Sequence, residues 1–184
     1  MPPELTVFFG MIAAGKSLLA EAWAARSGAE YWNSDRVRKE LAGLAATERC
    51  ANGVDQGIYT PEFSRRTYDA LLDRAAAALT SGRSVVLDAS YQSVAERRSL
   101  QDLARRLGVR LRFVLCFCSE AETRRRLALR AADPAAVSDG RWEIYLAQKE
   151  RFEPPDELPA DMLVVLDTED EPSRLLDRLA QLLA

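Results

Sequence analysis

One segment near the start of the chain limits the fold more than any other. Residues 10–17 read Gly-Met-Ile-Ala-Ala-Gly-Lys-Ser and satisfy the pattern Gly-x-x-x-x-Gly-Lys-Ser. The apolar run at residues 5–9 predicts a buried strand before it, and the Ala/Leu-rich residues 16–26 predict a helix after it. In that setting, successive backbone N–H groups wrap phosphates and the helix N-terminus adds partial positive charge. We therefore predict a phosphate-binding loop (P-loop) at residues 10–17.

The remainder of the chain alternates between strand-like and helix-like patterns. Further apolar, strand-like runs occupy residues 30–33, 84–87, 111–118 and 162–166. Strands that are apolar throughout, separated by helices, are typical of a parallel sheet covered on both faces. The sequence contains no linker or internal repeat, so we expect one α/β domain over residues 1–184, with ligands at the carboxyl ends of the strands.

The composition excludes several kinds of chemistry. The chain contains no histidine, which removes Ser-His-Asp hydrolases and histidine-ligated metal sites. A net charge of −3 disfavours a dedicated binder of duplex nucleic acid. No apolar run is long enough to span a bilayer, and we expect a cytoplasmic protein without a membrane partner. The sequence does not indicate an oligomeric state.

Two further features separate the classes of P-loop protein. The Asn-Lys-x-Asp segment expected of a GTPase is not in the sequence. The strand at residues 84–87 ends in Asp88-Ala89, without the glutamate that would activate water in a motor-type ATPase. Transfer of the γ-phosphate to an acceptor is therefore favoured over hydrolysis, and the sequence predicts a kinase.

The predicted nucleotide is ATP with Mg²⁺. Lys16 is expected to reach the β- and γ-phosphates and to act in catalysis, and Ser17 is expected to ligate the metal. Asp88 is the second predicted metal contact, with Asp167 as its rival at the end of a similar strand. The complete set of predicted nucleotide contacts is Gly10, Met11, Ile12, Ala13, Ala14, Gly15, Lys16, Ser17 and Leu18.

Several motifs together resemble a known family. They are Gly10–Ser17, Asn33-Ser34-Asp35-x-x-Arg38-Lys39, Tyr59-Thr60-Pro61-Glu62, Val85–Asp88 with Ala89-Ser90, and Arg126-x-x-x-Arg130. They resemble the small P-loop kinases, AAA-type ATP-binding proteins related to gluconate kinase, chloramphenicol phosphotransferase, zeta toxins and polynucleotide kinase. The resemblance implies a P-loop NTPase fold, with a five-stranded parallel sheet, helices on both faces, and a small mobile helical lid near residues 123–141.

The resemblance also suggests an acceptor site. Asp35 follows the second predicted strand, and in related kinases this aspartate faces the acceptor hydroxyl, as general base or orienting group. Its alternative role is to cap the next helix. Arg38 lies one turn further on and could hold an acceptor anion or the Asp35 carboxylate. Asp88 is also a candidate for acceptor contact. Arg126 and Arg130 share a helix face, and lid arginines in related kinases act on the transferring phosphoryl group; a solvated basic face is the alternative.

These observations predict an ATP-dependent phosphotransferase that acts on an alcohol group of a small molecule. Two alternatives stay open at this point. The first is a 5′-hydroxyl polynucleotide kinase or RNA-repair module. The second is a nucleotide-binding regulatory or toxin-like domain. The irregular residues 47–59 carry no readable code for the identity of the acceptor.

Overall fold

The computed structural model describes residues 2–48, 56–133 and 141–183. The strands in these ranges are β1 (Glu4–Phe9), β2 (Glu30–Asn33), β3 (Val85–Asp88), β4 (Arg110–Phe117) and β5 (Leu163–Asp167). The helices are α1 (Lys16–Ser27), α2 (Ser34–Leu41), α3 (Pro61–Thr80), α4 (Val94–Leu107), α5 (Glu120–Ala132), α6 (Trp142–Arg151) and α7 (Pro172–Leu183), with a short 3-10 helix at Gly57–Tyr59. Of the predicted lid, residues 134–140 lie outside the described residues, as do residues 49–55 of the predicted irregular segment.

The sheet has the strand order β2-β3-β1-β4-β5, and each neighbouring pair is parallel. The strand that precedes the P-loop, β1, therefore lies at the centre. After β1 the chain first builds one side of the sheet, with β2 and β3, and then the other, with β4 and β5. The carboxyl ends beside such a reversal form a crevice where ligands bind in open α/β sheets. The predicted fold, with its five-stranded parallel sheet, is confirmed.

Helices cover both faces of the sheet, and β1 shows why its sequence is apolar throughout. Leu5, Val7 and Phe9 pack into one core cluster, together with side chains of α3 and α4. Phe8 points to the opposite face and packs with side chains of α1 and α7. Because successive residues of a strand face opposite sides, a strand buried on both faces needs apolar residues at nearly every position.

The helix ends largely follow local signals in the sequence. Gly28 and Gly108 adopt left-handed conformations after α1 and α4, and Ser93 with Glu96, a Ser-x-x-Glu pattern, forms a capping box. The same Ser-x-x-Glu pattern at Ser119 and Glu122 gives only half of a capping box. The Ser119 hydroxyl accepts from the backbone N–H of Glu122, but the Ser119 N–H donates to Glu169 instead.

In the part of the chain that the structure describes, no helix is both long and apolar enough to cross a membrane.

Candidate active site

A cavity of about 320 Å³ opens at the carboxyl ends of the central strands. P-loop residues 12–17 form one wall, and the first residues of α2 and α3 form another. Residues after β3 and side chains from α5 and α6 complete the lining. The cavity thus collects residues from distant parts of the chain at the edge where the fold predicts a ligand.

Two glycines give the P-loop its shape. Gly10 has φ +131°, and a Cβ there would lie 2.3 Å from the carbonyl oxygen of Cys116 on β4. Gly15 has φ +82° and caps the N-terminus of α1 in a left-handed conformation. Any other residue at Gly10 would push the loop away from the sheet, and a side chain at Gly15 would be strained. Ala13 also has a positive φ of 60°, which a non-glycine residue adopts only where its surroundings hold it.

Lys16 lies at the cavity wall, and its ammonium group donates to the backbone oxygen of Met11 at 2.7 Å. Burial lowers the pKa of Lys16, and the nearby carboxylate of Asp88 partly offsets this effect. A partly desolvated ammonium held across the loop is well placed to contact an anion inside the curve of the loop.

Asp88 is buried at the end of β3, and its two carboxylate oxygens have different surroundings. Oδ2 accepts hydrogen bonds from the Tyr31 hydroxyl at 2.8 Å and the Asn33 amide at 2.6 Å. Oδ1 has no hydrogen-bond partner among the described residues. A buried carboxylate oxygen without a partner is costly in an apolar setting, and bound cations or water commonly satisfy it. The rival, Asp167, is exposed and does not line the cavity.

Asp35 lines the cavity from the first turn of α2. The cap of this helix is Asn33, whose side-chain oxygen accepts from the Arg36 N–H at 3.0 Å. The predicted alternative, that Asp35 caps the helix, is therefore wrong, because Asn33, two residues earlier, is the cap. Burial raises the pKa of Asp35, the positive charge of Arg38 opposes the rise, and Asp88 adds to it.

Arg38 also lines the cavity, but much of its hydrogen-bonding capacity is used within the protein. Its Nη1 donates to the backbone oxygen of Ile58 at 2.7 Å and to the Ser64 hydroxyl at 3.1 Å. Its guanidinium lies over the Tyr59 ring, 5.0 Å from the centroid. Arg38 thus fastens the segment before α3 to α2 and shapes the cavity on the side of Asp35.

The two predicted lid arginines have different surroundings. Arg126 donates to the backbone oxygen of Ala13 at 3.2 Å and to both the hydroxyl and the backbone oxygen of Thr168, at 2.9 and 2.7 Å. The Thr168 hydroxyl in turn donates to the Ala14 backbone oxygen at 2.9 Å. Arg126 therefore braces the outside of the P-loop against the segment after β5.

Arg130, one turn further along α5, lines the cavity itself. Burial lowers the pKa of Arg130, while the carboxylates of Asp35 and Asp88 oppose this, and a guanidinium stays charged under such conditions. The cavity thus brings together Lys16, Asp35, Asp88 and Arg130. Of the other predicted nucleotide contacts, Gly10, Met11 and Leu18 are not part of its wall, and Leu18 is exposed.

Three residues near the site were not identified from the sequence. Gln148 on α6 accepts from the N–H of Ile12 at 2.7 Å, and Thr168 contacts the P-loop as described. Arg97 is fully buried and donates to Glu157 and to the backbone oxygens of Tyr91, Gln92, Glu153 and Pro154. Most of these contacts do not follow from a local pattern, because the bonds of Gln148, of Thr168 and of Arg97 to the segment after α6 join parts of the chain that are far apart in the sequence.

The sequence matches the AAA domain family over residues 5–155, which cover most of the chain and all of the P-loop. The chain belongs to the AAA domain family. The predicted resemblance to small P-loop kinases is confirmed. No curated protein gives a significant sequence match.

Solved structures share the fold of this AAA domain chain. A candidate kinase from Chloroflexus aurantiacus J-10-fl has a TM-score of 0.73 at 19% identity, with 100% of each chain covered. A gluconokinase from Sinorhizobium meliloti 1021 has a TM-score of 0.66 at 21% identity, with 99% of this chain and 92% of that chain covered. The APS kinase of Mycobacterium tuberculosis, solved with AMPPNP and APS, has a TM-score of 0.67 at 18% identity, with 99% and 98% covered.

Proposed function

We propose that this protein is an ATP-dependent kinase that transfers the γ-phosphoryl group of ATP to a hydroxyl of a small-molecule acceptor. The observation that carries the proposal is the convergence of Lys16, Arg130 and Asp35 on one cavity beside the P-loop. In this arrangement Lys16 and Arg130 contact the phosphates, and the carboxylate of Asp35 contacts the acceptor hydroxyl. Proteins that share this fold include a gluconokinase and an APS kinase, and this similarity supports the proposal.

In this proposal the P-loop amides and Lys16 hold the β- and γ-phosphates. The acceptor oxygen forms a bond to the γ-phosphorus as the bond to the β–γ bridging oxygen breaks, and ADP leaves. The hydroxyl proton passes to the carboxylate of Asp35. Arg130 stabilises the negative charge of the transferring group, which favours the transition state over the bound reactants.

The residues present fit a magnesium ion, because the buried Oδ1 of Asp88 has no hydrogen-bond partner in the described ranges. Asp88, directly or through water, and the Ser17 hydroxyl would hold it. Such an ion usually keeps several waters and completes its coordination with substrate phosphates. When bound, it neutralises part of the phosphate charge. Tyr31 and Asn33 would then orient Asp88 by holding its other oxygen.

The test is phosphoryl transfer from γ-labelled ATP to a library of small hydroxyl compounds and to 5′-hydroxyl oligonucleotides. We expect label in a small molecule with the wild-type protein, and strongly reduced label with Asp35→Asn. The matched control is Asp102→Asn, which makes the same change at an exposed position on α4, outside the cavity.

Each other outcome has a definite meaning. Label in the oligonucleotides alone would replace the small-molecule acceptor with a nucleic-acid end. ATP binding without transfer to any compound would overturn the kinase proposal and favour a nucleotide-dependent regulatory domain. Equal loss of transfer in Asp35→Asn and Asp102→Asn would remove the assigned role of Asp35.

A further inference from the structure

A second cavity adjoins the first and lies between α3 and α4. Its volume is about 490 Å³. The residues that line both cavities are Pro61, Ser64, Tyr68 and Glu96. A molecule with one hydroxyl at Asp35 would therefore have room for its remaining atoms in this groove. We call this second cavity the α3–α4 groove.

Glu96 is the charged residue that the two cavities share within the described part of the chain. The capping box holds it in place, since its Oε2 accepts from the Ser93 N–H at 3.1 Å. Burial raises the pKa of Glu96, although the hydrogen bonds from Ser93 oppose this. A carboxylate that is both oriented and partly desolvated binds hydrogen-bond donors strongly and repels anions.

Neighbouring groups leave the junction between the cavities acidic. The adjacent Arg97 lines neither cavity and donates to Glu157 and to backbone oxygens, although its positive charge also opposes the rise in the pKa of Glu96. At the outer part of the groove, Arg65 and Asp69 on α3 carry opposite charges. The Tyr68 hydroxyl pairs with Ser90 at 2.9 Å, which fixes the aromatic wall.

Three of the cations that line the first cavity belong to the phosphate side or are hydrogen-bonded within the protein. Lys16 and Arg130 are assigned above to the phosphates, and Arg38 is bonded to Ile58 and Ser64. Arg151 lies on the wall formed by α6 and is exposed. Glu96 is thus the group that an acceptor meets as it extends from Asp35 towards α4.

We propose that the α3–α4 groove binds the non-reacting part of the acceptor, and that Glu96 selects acceptors that present O–H or N–H donors there. The acceptor is then a neutral polyhydroxyl or amine-bearing compound, because a carboxylate or phosphate at this position would meet a like charge. This inference rests on the proposed kinase function and names its substrate class.

The first test uses the wild-type protein with γ-labelled ATP and three six-carbon compounds that differ at one end: gluconate, glucitol and glucamine. A library of hydroxyl compounds, sorted by charge, extends the comparison. We expect the highest kcat/KM among neutral and amine-bearing compounds. A preference for anionic compounds would overturn the inference and leave the kinase function intact. ATP binding with no transfer to any compound would overturn both.

The second test uses Glu96→Gln, which keeps an oxygen for the capping box and removes the charge. With the best acceptor from the first test, KM for the acceptor should rise roughly 10- to 100-fold, because a hydrogen bond to a charged group is lost. The kcat and the KM for ATP should change little, since the contact is to the non-reacting part. Discrimination against anionic compounds should also fall.

The matched control is Ser93→Ala, which removes the other half of the capping box outside both cavities. It should leave the acceptor KM near the wild-type value. The same rise in KM for Ser93→Ala as for Glu96→Gln, or no rise for Glu96→Gln, would overturn the role of Glu96. If Glu96→Gln does not fold, the charge preference of the wild-type protein decides the matter.

Discussion

The two sides of the cavity are built in different ways. The phosphate side is built mainly from one uninterrupted segment, residues 10–17, whose backbone conformation is held by glycines and by Lys16, and α5 adds Arg130. The acceptor side is assembled from α2, α3 and α4, and its properties come from side chains such as Asp35 and Glu96. A contiguous motif can bind nucleotide phosphates in the same way even when the separate segments that form the acceptor side differ. Changes within residues 10–17 should therefore affect ATP binding, and changes on the acceptor side should affect phosphoryl transfer.

The largest expected effect is that of Asp35→Asn. A positioned general base contributes about 10²–10⁴ in rate, and the loose transition state of phosphoryl transfer favours the lower end. We expect acceptor phosphorylation to fall by about that factor, while calorimetry shows ATP affinity near the wild-type value. A concurrent loss of ATP affinity would break the division between the two sides, and a wild-type rate would move the acceptor site elsewhere.

Lys16→Ala tests the opposite side. Loss of a charge-assisted contact to phosphate should weaken ATP binding roughly 10- to 100-fold. Calorimetry measures the affinity, and circular dichroism should report an intact fold. Lys149→Ala is the control, because Lys149 is an exposed lysine paired with Glu120. Unchanged ATP affinity in Lys16→Ala would contradict the assignment of the P-loop as the nucleotide site.

Substitutions of Arg130 and Arg126 distinguish a role in phosphoryl transfer from a role in supporting the P-loop. Arg130→Ala should lower kcat by about tenfold or more and affect ATP binding less, because the charge it faces is greatest in the transition state. Arg126→Ala should cost about 1–3 kcal/mol of stability, because its contacts to Ala13 and Thr168 are lost. The measurements are single-turnover transfer and thermal unfolding, with the exposed Arg125→Ala as control. If Arg126→Ala lowers kcat without lowering stability, Arg126 acts on the transferring phosphoryl group, as the sequence predicted.

The smallest expected effect is the pH dependence of stability at Asp35. Because burial raises the pKa of Asp35 in the folded protein above its unfolded value of about 3.8, folding favours the neutral form. The neutral carboxyl of Asp35 therefore stabilises the folded protein fully below about pH 3.8, and this contribution is lost as the pH rises through the pKa of Asp35 in the folded protein. At pH 7, Asp35→Asn should therefore melt at a temperature equal to or higher than that of the wild-type protein. The difference between the two melting temperatures should become smaller as the pH is lowered. A much lower melting temperature would make Asp35 structural.

Local patterns explain most of what the sequence predicted correctly. The helix predicted at residues 16–26 is observed as Lys16–Ser27, because its Ala/Leu-rich run and the glycine after its end are local signals. The P-loop was predicted for the same reason. The alternative cap of α2 predicted at Asp35 lies two residues from the observed cap, Asn33, since Asn33, Ser34 and Asp35 are all good capping residues and propensity does not rank them.

Long-range contacts explain what the sequence did not reveal. Gln148 reaches Ile12 across 136 positions, and Thr168 reaches Ala14 across 154. Glu96 belongs to a local capping pattern, but its position beside the acceptor cavity depends on how α4 packs against α3. The acceptor side is more dependent on such packing than the phosphate side, and for that reason its chemistry was less visible.

Arg97 has a consequence for how the molecule opens. Its planar guanidinium holds the turn before α4 and the segment after α6 at the same time, and the Glu153 N–H also donates to the Gln92 oxygen at 3.0 Å. Lysine could not replace it, because an ammonium has three donors and no fixed plane. Neither segment can detach without stranding the buried arginine. The amide protons of Glu153 and Arg97 should therefore exchange with solvent through one shared opening event, which makes these two distant stretches a single cooperative unit.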